Sequence, residues 1–132
     1  MINECLFCTL NKNRVIIEGK LALVINDNFP VTPFHSLIIP KRHFSSYFDM
    51  SREELLEINE LINKRKEQIL YADKTVSGFN IGINIGKTAG QSIFHLHIHL
   101  IPRREGDISD PRGGIRAVIP DKKIRLLPRI II

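Results

Sequence analysis

The sequence has no tryptophan, only two tyrosines and only two cysteines in 132 residues. So few cysteines exclude a disulfide scaffold. Both stand in one unit, Cys5-Leu6-Phe7-Cys8. In a reducing compartment that spacing predicts a metal knuckle or a redox pair rather than a structural bridge. Long hydrophobic runs are also missing. Apolar runs are short, such as those at 21–25 and 130–132, and fall far short of the ~20 residues that span a bilayer. The N-terminus shows no basic stretch followed by an apolar one, so no secretory signal is read there and a cytoplasmic location is expected. Apolar residues at 43% and charged residues at 25% match a globular chain and exclude a disordered or collagen-like one. The length predicts a single domain over 1–132.

Nineteen basic against fourteen acidic side chains give a net charge of +5. The surplus is uneven. From Arg103 onward stand Arg103, Arg104, Arg112, Arg116, Lys122, Lys123, Arg125 and Arg129 against Glu105, Asp107, Asp110 and Asp121 (8 − 4 = +4). Such a tail attracts phosphates or acidic partners, or is simply solvated. With no tryptophan and with Tyr47 and Tyr71 far from it, the tail has no rings on which bases could stack. No specific nucleic-acid or membrane partner is expected.

Strands are read at 14–18, 21–26 and 36–39, with a loop at 27–33 rich in Asn, Asp and Pro. Ser51 and Glu54 form a capping-box pattern. Leu55, Ile58, Leu61, Ile62, Ile69 and Leu70 follow at helical spacing, predicting a helix over 51–72, half-exposed at the charged run 64–67. Residues 79–85 alternate, with Phe79, Ile81, Ile83 and Ile85 on one face. Residues 95–101 alternate again, and Pro102 is expected to end them. Strands outnumber helices, so the class is antiparallel α+β.

Three of the five histidines are His95, His97 and His99. A strand places alternate residues on one face, so three imidazoles form a row, neighbours about 6.5–7 Å apart, over Leu96, Ile98 and Leu100. One metal ion can take two neighbours but hardly all three. Three readings fit: a solvated histidine face, a metal site using a His-x-His pair with Glu105 or Asp107, or nucleophilic attack by imidazole on phosphorus.

The run Gly90-Gln91-Ser92-Ile93-Phe94-His95-Leu96-His97-Ile98-His99-Leu100-Ile101 resembles the signature of the histidine-triad (HIT) superfamily. Asn26-Asp27 with Pro33-Phe34-His35-Ser36 resembles the family's ribose-binding loop, although Phe34 stands where the family often has glycine. Asn84 matches a phosphate-contacting amide, and Cys5-Leu6-Phe7-Cys8 resembles the zinc knuckle of many bacterial members. The resemblance spans about 5–107 and leaves 108–132 as a basic tail.

The resemblance implies a HIT-like five-stranded antiparallel sheet with one long and one short helix, extended across a homodimer. It implies that His97 is the nucleophile, that His99 acts on the phosphate or leaving group as a cation or acid, and that His35 orients the row. Asp27 would bind ribose, with Leu23, Ile25 and Phe29 around the base. Ser92, Asn84 and Gln91 would donate to phosphate oxygens. Cys5, Cys8, His43 and His95 would hold a structural zinc ion. The stretch Pro102-Arg103-Arg104-Glu105-Gly106-Asp107 looks like that of diadenosine polyphosphate hydrolases of the fragile-histidine-triad kind, and the basic tail would suit a polyphosphate leaving group. The expected activity is therefore hydrolysis of a dinucleoside polyphosphate to a nucleoside monophosphate. A nucleoside phosphoramidase or adenylyl-amino-acid hydrolase of the Hint kind is the alternative, and a nucleotide-dependent binding module the further one.

Overall fold

Ser51 caps α1 (Arg52–Ala72), the one α-helix among the described residues. Its hydroxyl accepts from the Glu54 amide while the Glu54 carboxylate accepts from the Ser51 amide, so both halves of the expected capping box are made. Among the residues described by this computed structural model, 4–124, five strands complete the fold: β1 (Val15–Glu18), β2 (Ala22–Asn26), β3 (Ser36–Pro40), β4 (Val76–Gly82) and β5 (Ile98–Arg104). They form one antiparallel sheet in the order β1-β2-β3-β5-β4. The expected short helix appears only as 3-10 turns, the longest at Gly114–Val118. The apolar end at 126–132, expected to pack on the body or on a second subunit, lies outside the described residues.

Each face of the sheet buries its own cluster. Ala22, Val24, Ile38, Ile98 and Leu100 meet Ile58, Leu61 and Ile69 of α1. Ile25, Leu37 and Ile39 face the other way and are covered by Phe7, Leu10 and Val15. The row is on this second face, since His99 lies opposite Leu37 in the β3–β5 register.

Two strand boundaries differ from the sequence reading. β4 lies three residues earlier than expected because its last partner is His99, opposite Gly82, and residues 83–85 have nothing to pair with. β5 begins at Ile98 and runs through Pro102 instead of stopping there. The Pro102 carbonyl accepts from Thr32 Oγ1, on the side of β5 away from β4. β3 has already ended at that level, with Ser36 opposite Leu100, so the missing proline N–H costs no ladder bond. His95 and His97 consequently precede the strand. Arg65, read within a charged and half-exposed run, is buried.

Candidate active site

A cavity of about 380 Å³ opens on the second face of the sheet, within the size range of small-molecule sites. His97 and His99 line it from β5 and its approach, and Asp27 and His35 from the two ends of the β2–β3 loop. Asn84 and Ser92 come from the segments flanking the 87–90 turn. Six of the residues expected at the site thus share one space.

The hydrogen bonds dictate which nitrogen of each ring carries a proton. His97 Nδ1 lies 2.8 Å from the His95 carbonyl oxygen. A carbonyl can only accept, so Nδ1 holds the hydrogen and a neutral His97 offers a bare Nε2. The Val31 amide donates to His35 Nδ1 at 3.1 Å. His35 Nε2 must then carry the hydrogen, which it donates to His99 Nδ1 at 2.9 Å. A neutral His99 is left with Nε2–H as a donor. Burial, with His97 and His35 adding to it, pushes His99 down to about 4. In the free protein the His99 ring is therefore neutral and acts as a hydrogen-bond donor, the acid rather than the cation of the two expected roles.

Asp27, His35 and His99 bring their donor atoms within 4.8 Å of one another, close enough to suggest a metal group. The tautomers argue against it. A metal on His35 Nε2 would force the proton onto Nδ1, against the Val31 N–H. Asp27 instead divides its oxygens: Oδ1 accepts from the Phe29 amide at 2.8 Å, and Oδ2 lies 3.5 Å from His35 Nε2. Burial lowers the pKa of His35, while Asp27 raises it.

Gln91 departs from its expected role. Its amide nitrogen donates to the Ser45 and Ile93 carbonyls, and its oxygen accepts from the Gly86 amide. It is buried, does not line the cavity, and ties down the turn that carries Ser92. Of the three apolar residues expected around the base, only Phe29 reaches the cavity. Ile25 belongs to the second core cluster and Leu23 packs against it. Leu6, Phe7, Leu37 and Arg14 line the cavity without having been singled out for it. Phe7 had one available signal, its place inside a cysteine pair aimed at the histidine row. Arg14, whose guanidinium donates to the Asn26 carbonyl at 2.9 Å, had none.

Cys5, Cys8, His43 and His95 converge beside this cavity, with one donor atom from each inside a 4.8 Å group. His95 Nδ1 stands 3.5 Å from both sulfurs and 3.1 Å from His43 Nδ1, and Cys8 Sγ is 3.2 Å from His43 Nδ1. Ligands around one tetrahedral zinc ion sit roughly 3.4–3.8 Å apart, given bonds of about 2.1 Å to nitrogen and 2.3 Å to sulfur, so these atoms would need to spread by only a few tenths of an ångström to surround one. His95 is also prepared as a ligand. Its Nε2–H donates to the Pro40 carbonyl at 2.7 Å, leaving the Nδ1 lone pair toward the cluster, and burial lowers its pKa. Two thiols and two imidazoles in this arrangement suit zinc.

The basic stretch after the row is occupied elsewhere. Arg103 forks onto Asp107 and reaches Asn80, and Arg104 pairs with Asp73 and donates to the Pro33 carbonyl. Arg112 pairs with Asp110. None of the three lines the cavity. A charge count along the chain cannot register these partners: Arg103, Arg104 and Arg112 bring no charge to the cavity, while Arg125 and Arg129 of the tail lie outside the described residues.

Comparison with known proteins agrees with this geometry. The model of the HIT domain matches residues 9–106. A zinc-bound histidine triad family protein from Mycobacterium smegmatis superposes with a TM-score of 0.72 at 32% identity, covering 81% of this chain and 80% of that one. Plasmodium falciparum diadenosine triphosphate hydrolase gives a TM-score of 0.67 at 35% identity, covering 76% and 68%. Adenylylsulfatase HINT3 of Arabidopsis thaliana is 35% identical over 109 residues, 80% of this chain and 55% of that protein. The chain belongs to the histidine-triad (HIT) domain family.

Proposed function

We propose that the protein hydrolyses nucleotides at the α-phosphorus through a nucleotidyl intermediate on His97 and releases a nucleoside monophosphate. The observation that carries this reading is the bare Nε2 of His97. Its Nδ1–H is held by the His95 carbonyl, and the ring shares a cavity with the neutral donor His99. Imidazole is nucleophilic near neutral pH without a separate base.

Asp27 takes the ribose hydroxyls. Asn84 and Ser92 donate to the non-bridging phosphate oxygens, each such donor worth up to ~3 kcal/mol in a water-poor site. His97 Nε2 attacks phosphorus, and the bond to the leaving group breaks with its electron pair on that group. His99 Nε2–H hydrogen-bonds the phosphate or the departing atom, and His35 holds His99 in that tautomer. The imidazole of the intermediate is cationic and keeps its Nδ1–H on the His95 carbonyl. Water then attacks phosphorus, the N–P electron pair returns to Nε2, and the proton passes to solvent.

The primary substrate class is a dinucleoside polyphosphate such as diadenosine tetraphosphate. A second reading, a phosphoramidate or an adenylyl conjugate of the adenylyl-amino-acid or adenylyl-sulfate kind, is favoured by one observation. Arg103, Arg104 and Arg112 are all paired away from the cavity, leaving Arg14 as the Lys or Arg side chain that lines it among the described residues. Cys5, Cys8, His43 and His95 would hold a structural zinc ion that pins the N-terminal segment to the histidine row. The reading includes one domain over 1–132 with a basic tail from 108, a homodimer joined through the open β4 edge, and action in the cytoplasm. No helix among the described residues is long and apolar enough to cross a membrane.

The test is a chromatographic time course with diadenosine tetraphosphate, adenosine phosphoramidate and adenylyl sulfate, using wild type and His97→Ala. AMP from wild type alone supports the hydrolase, and the preferred substrate selects its leaving group. Equal nucleotide binding by both proteins with no turnover of any substrate by wild type would leave a binding module instead.

A further inference from the structure

The β2–β3 loop carries Asp27 and His35 into the cavity, and its neck is the residue pair Asn26 and Ser36, opposite each other in the register. Behind that neck, on the helix face of the sheet, lies Arg65 of α1. It is 7% exposed and has no carboxylate partner among the described residues. Its guanidinium is spent on neutral oxygens. Nη2 donates to Asn26 Oδ1 at 2.9 Å, Nε to Ser36 Oγ at 2.9 Å, and Nη1 to Gln68 Oε1 at 3.1 Å. Burying a guanidinium without a counter-charge is costly, so a residue kept in this state calls for a reason.

Phe34 supplies that reason. It is the only non-glycine residue described with a positive φ, at +70°. A bulky side chain rarely adopts the left-handed region and stays there only when its surroundings hold it. Ser36 Oγ, which accepts from Arg65, donates to the Phe34 carbonyl at 2.8 Å. The Arg65 guanidinium also stands over the Phe34 ring, 5.8 Å from its centroid. The next residue is His35, whose ring turns inward to donate to His99.

We infer that Arg65 is a positioning residue: through Ser36 it holds Phe34 in the left-handed conformation that presents His35 to His99. The inference rests on the proposed hydrolase only for its kinetic readout, since the His35–His99 hydrogen bond exists without substrate. A guanidinium fork can serve Asn26 and Ser36 together, whereas a lysine ammonium is a single point. Glycine at position 34 adopts the same φ at no steric cost and removes the need for the hold.

The experiment is a double-mutant cycle on the full chain: wild type, Arg65→Met, Phe34→Gly and the pair, with Arg65→Lys as the milder variant if Arg65→Met fails to fold. Two quantities are read. One is kcat on the preferred substrate. The other is the imidazole nitrogen chemical shifts of His35 and His99 in the free protein. Displacement of a reacting group by about 1 Å can cost 10²-fold, so Arg65→Met is expected to lower kcat roughly ten- to a hundredfold. Measured against Phe34→Gly itself, Arg65→Met in the Phe34→Gly background should lose no more than about threefold. The histidine shifts should move in Arg65→Met and return in the pair. A merely structural arginine would give equal fold losses in both backgrounds, and that result, or unmoved histidine shifts in Arg65→Met, overturns the inference. If wild type turns over no substrate while the shifts follow the cycle, the proposed reaction fails and the positioning role stands.

Discussion

The ring of Phe7 stands edge-on to the imidazole of His97, 5.1 Å between centroids, and meets His95 at 5.9 Å. One side chain inside the cysteine turn therefore touches both the nucleophile of the proposed reaction and a ligand of the proposed zinc site. An edge-to-face ring contact is worth about 0.5–1.5 kcal/mol beyond its burial. Losing the turn should weaken nucleotide binding roughly three- to tenfold as Phe7 leaves the cavity wall. Chelator-treated wild type and Cys8→Ser should each lose metal by mass spectrometry, melt at lower temperature and bind AMP more weakly by calorimetry. Zinc should restore the first and not the second. Unchanged affinity in metal-free protein would separate the knuckle from the cavity.

Acid should weaken the fold through His99. Its pKa is about 4 in the folded protein against about 6.5 when unfolded. Between those values the unfolded chain binds the extra proton, so stability rises with pH across this window. The contribution is complete above pH 6.5 and lost as pH falls toward 4. His35 and His95 are shifted in the same direction and add to the trend. Urea midpoints at pH 7.5 and 4.5 should fall less for His99→Asn than for wild type. An equal fall in both would assign the acid sensitivity elsewhere.

Glu57 holds the β1–β2 turn from α1. Its carboxylate accepts from the Lys20 amide at 3.2 Å and from the Leu21 and Ala22 amides at 2.6 Å each. Hydrogen bonds to a charged acceptor are worth about 1.5–3 kcal/mol. Glu57→Ala should cost about 2–3 kcal/mol by urea titration and leave kcat within twofold. Gly19→Ala should also destabilise, because a Cβ there would lie 2.6 Å from Glu57 Oε2. A stable Glu57→Ala protein would show that the turn closes on its own.

Local signals read well and partner-dependent ones did not. The capping box needs only Ser51 and Glu54, two residues within one four-residue stretch, and it formed as expected. The histidine alternation likewise put Leu96, Ile98 and Leu100 in the core. The ends of β4 and β5 depend on where a partner strand starts, which neither segment encodes alone. Gln91 has the chemistry of a phosphate donor, but its amide is consumed by Gly86, Ser45 and Ile93. Arg65 sits in a run that looks solvated, and only the α1–sheet packing reveals its burial.

The strand that finishes the sheet is the last one made, and it goes into the middle. β5 lies between β3 and β4, and Cys5 meets His95 across 90 residues of chain. Contacts of such long range form late, after the loop entropy between them has been overcome. A chain growing from the ribosome can assemble β1, β2, β3 and α1 while β4 still has no neighbour to pair with. A product cut short before residue 98 would leave both β3 and β4 with bare inner edges, open to the wrong strand.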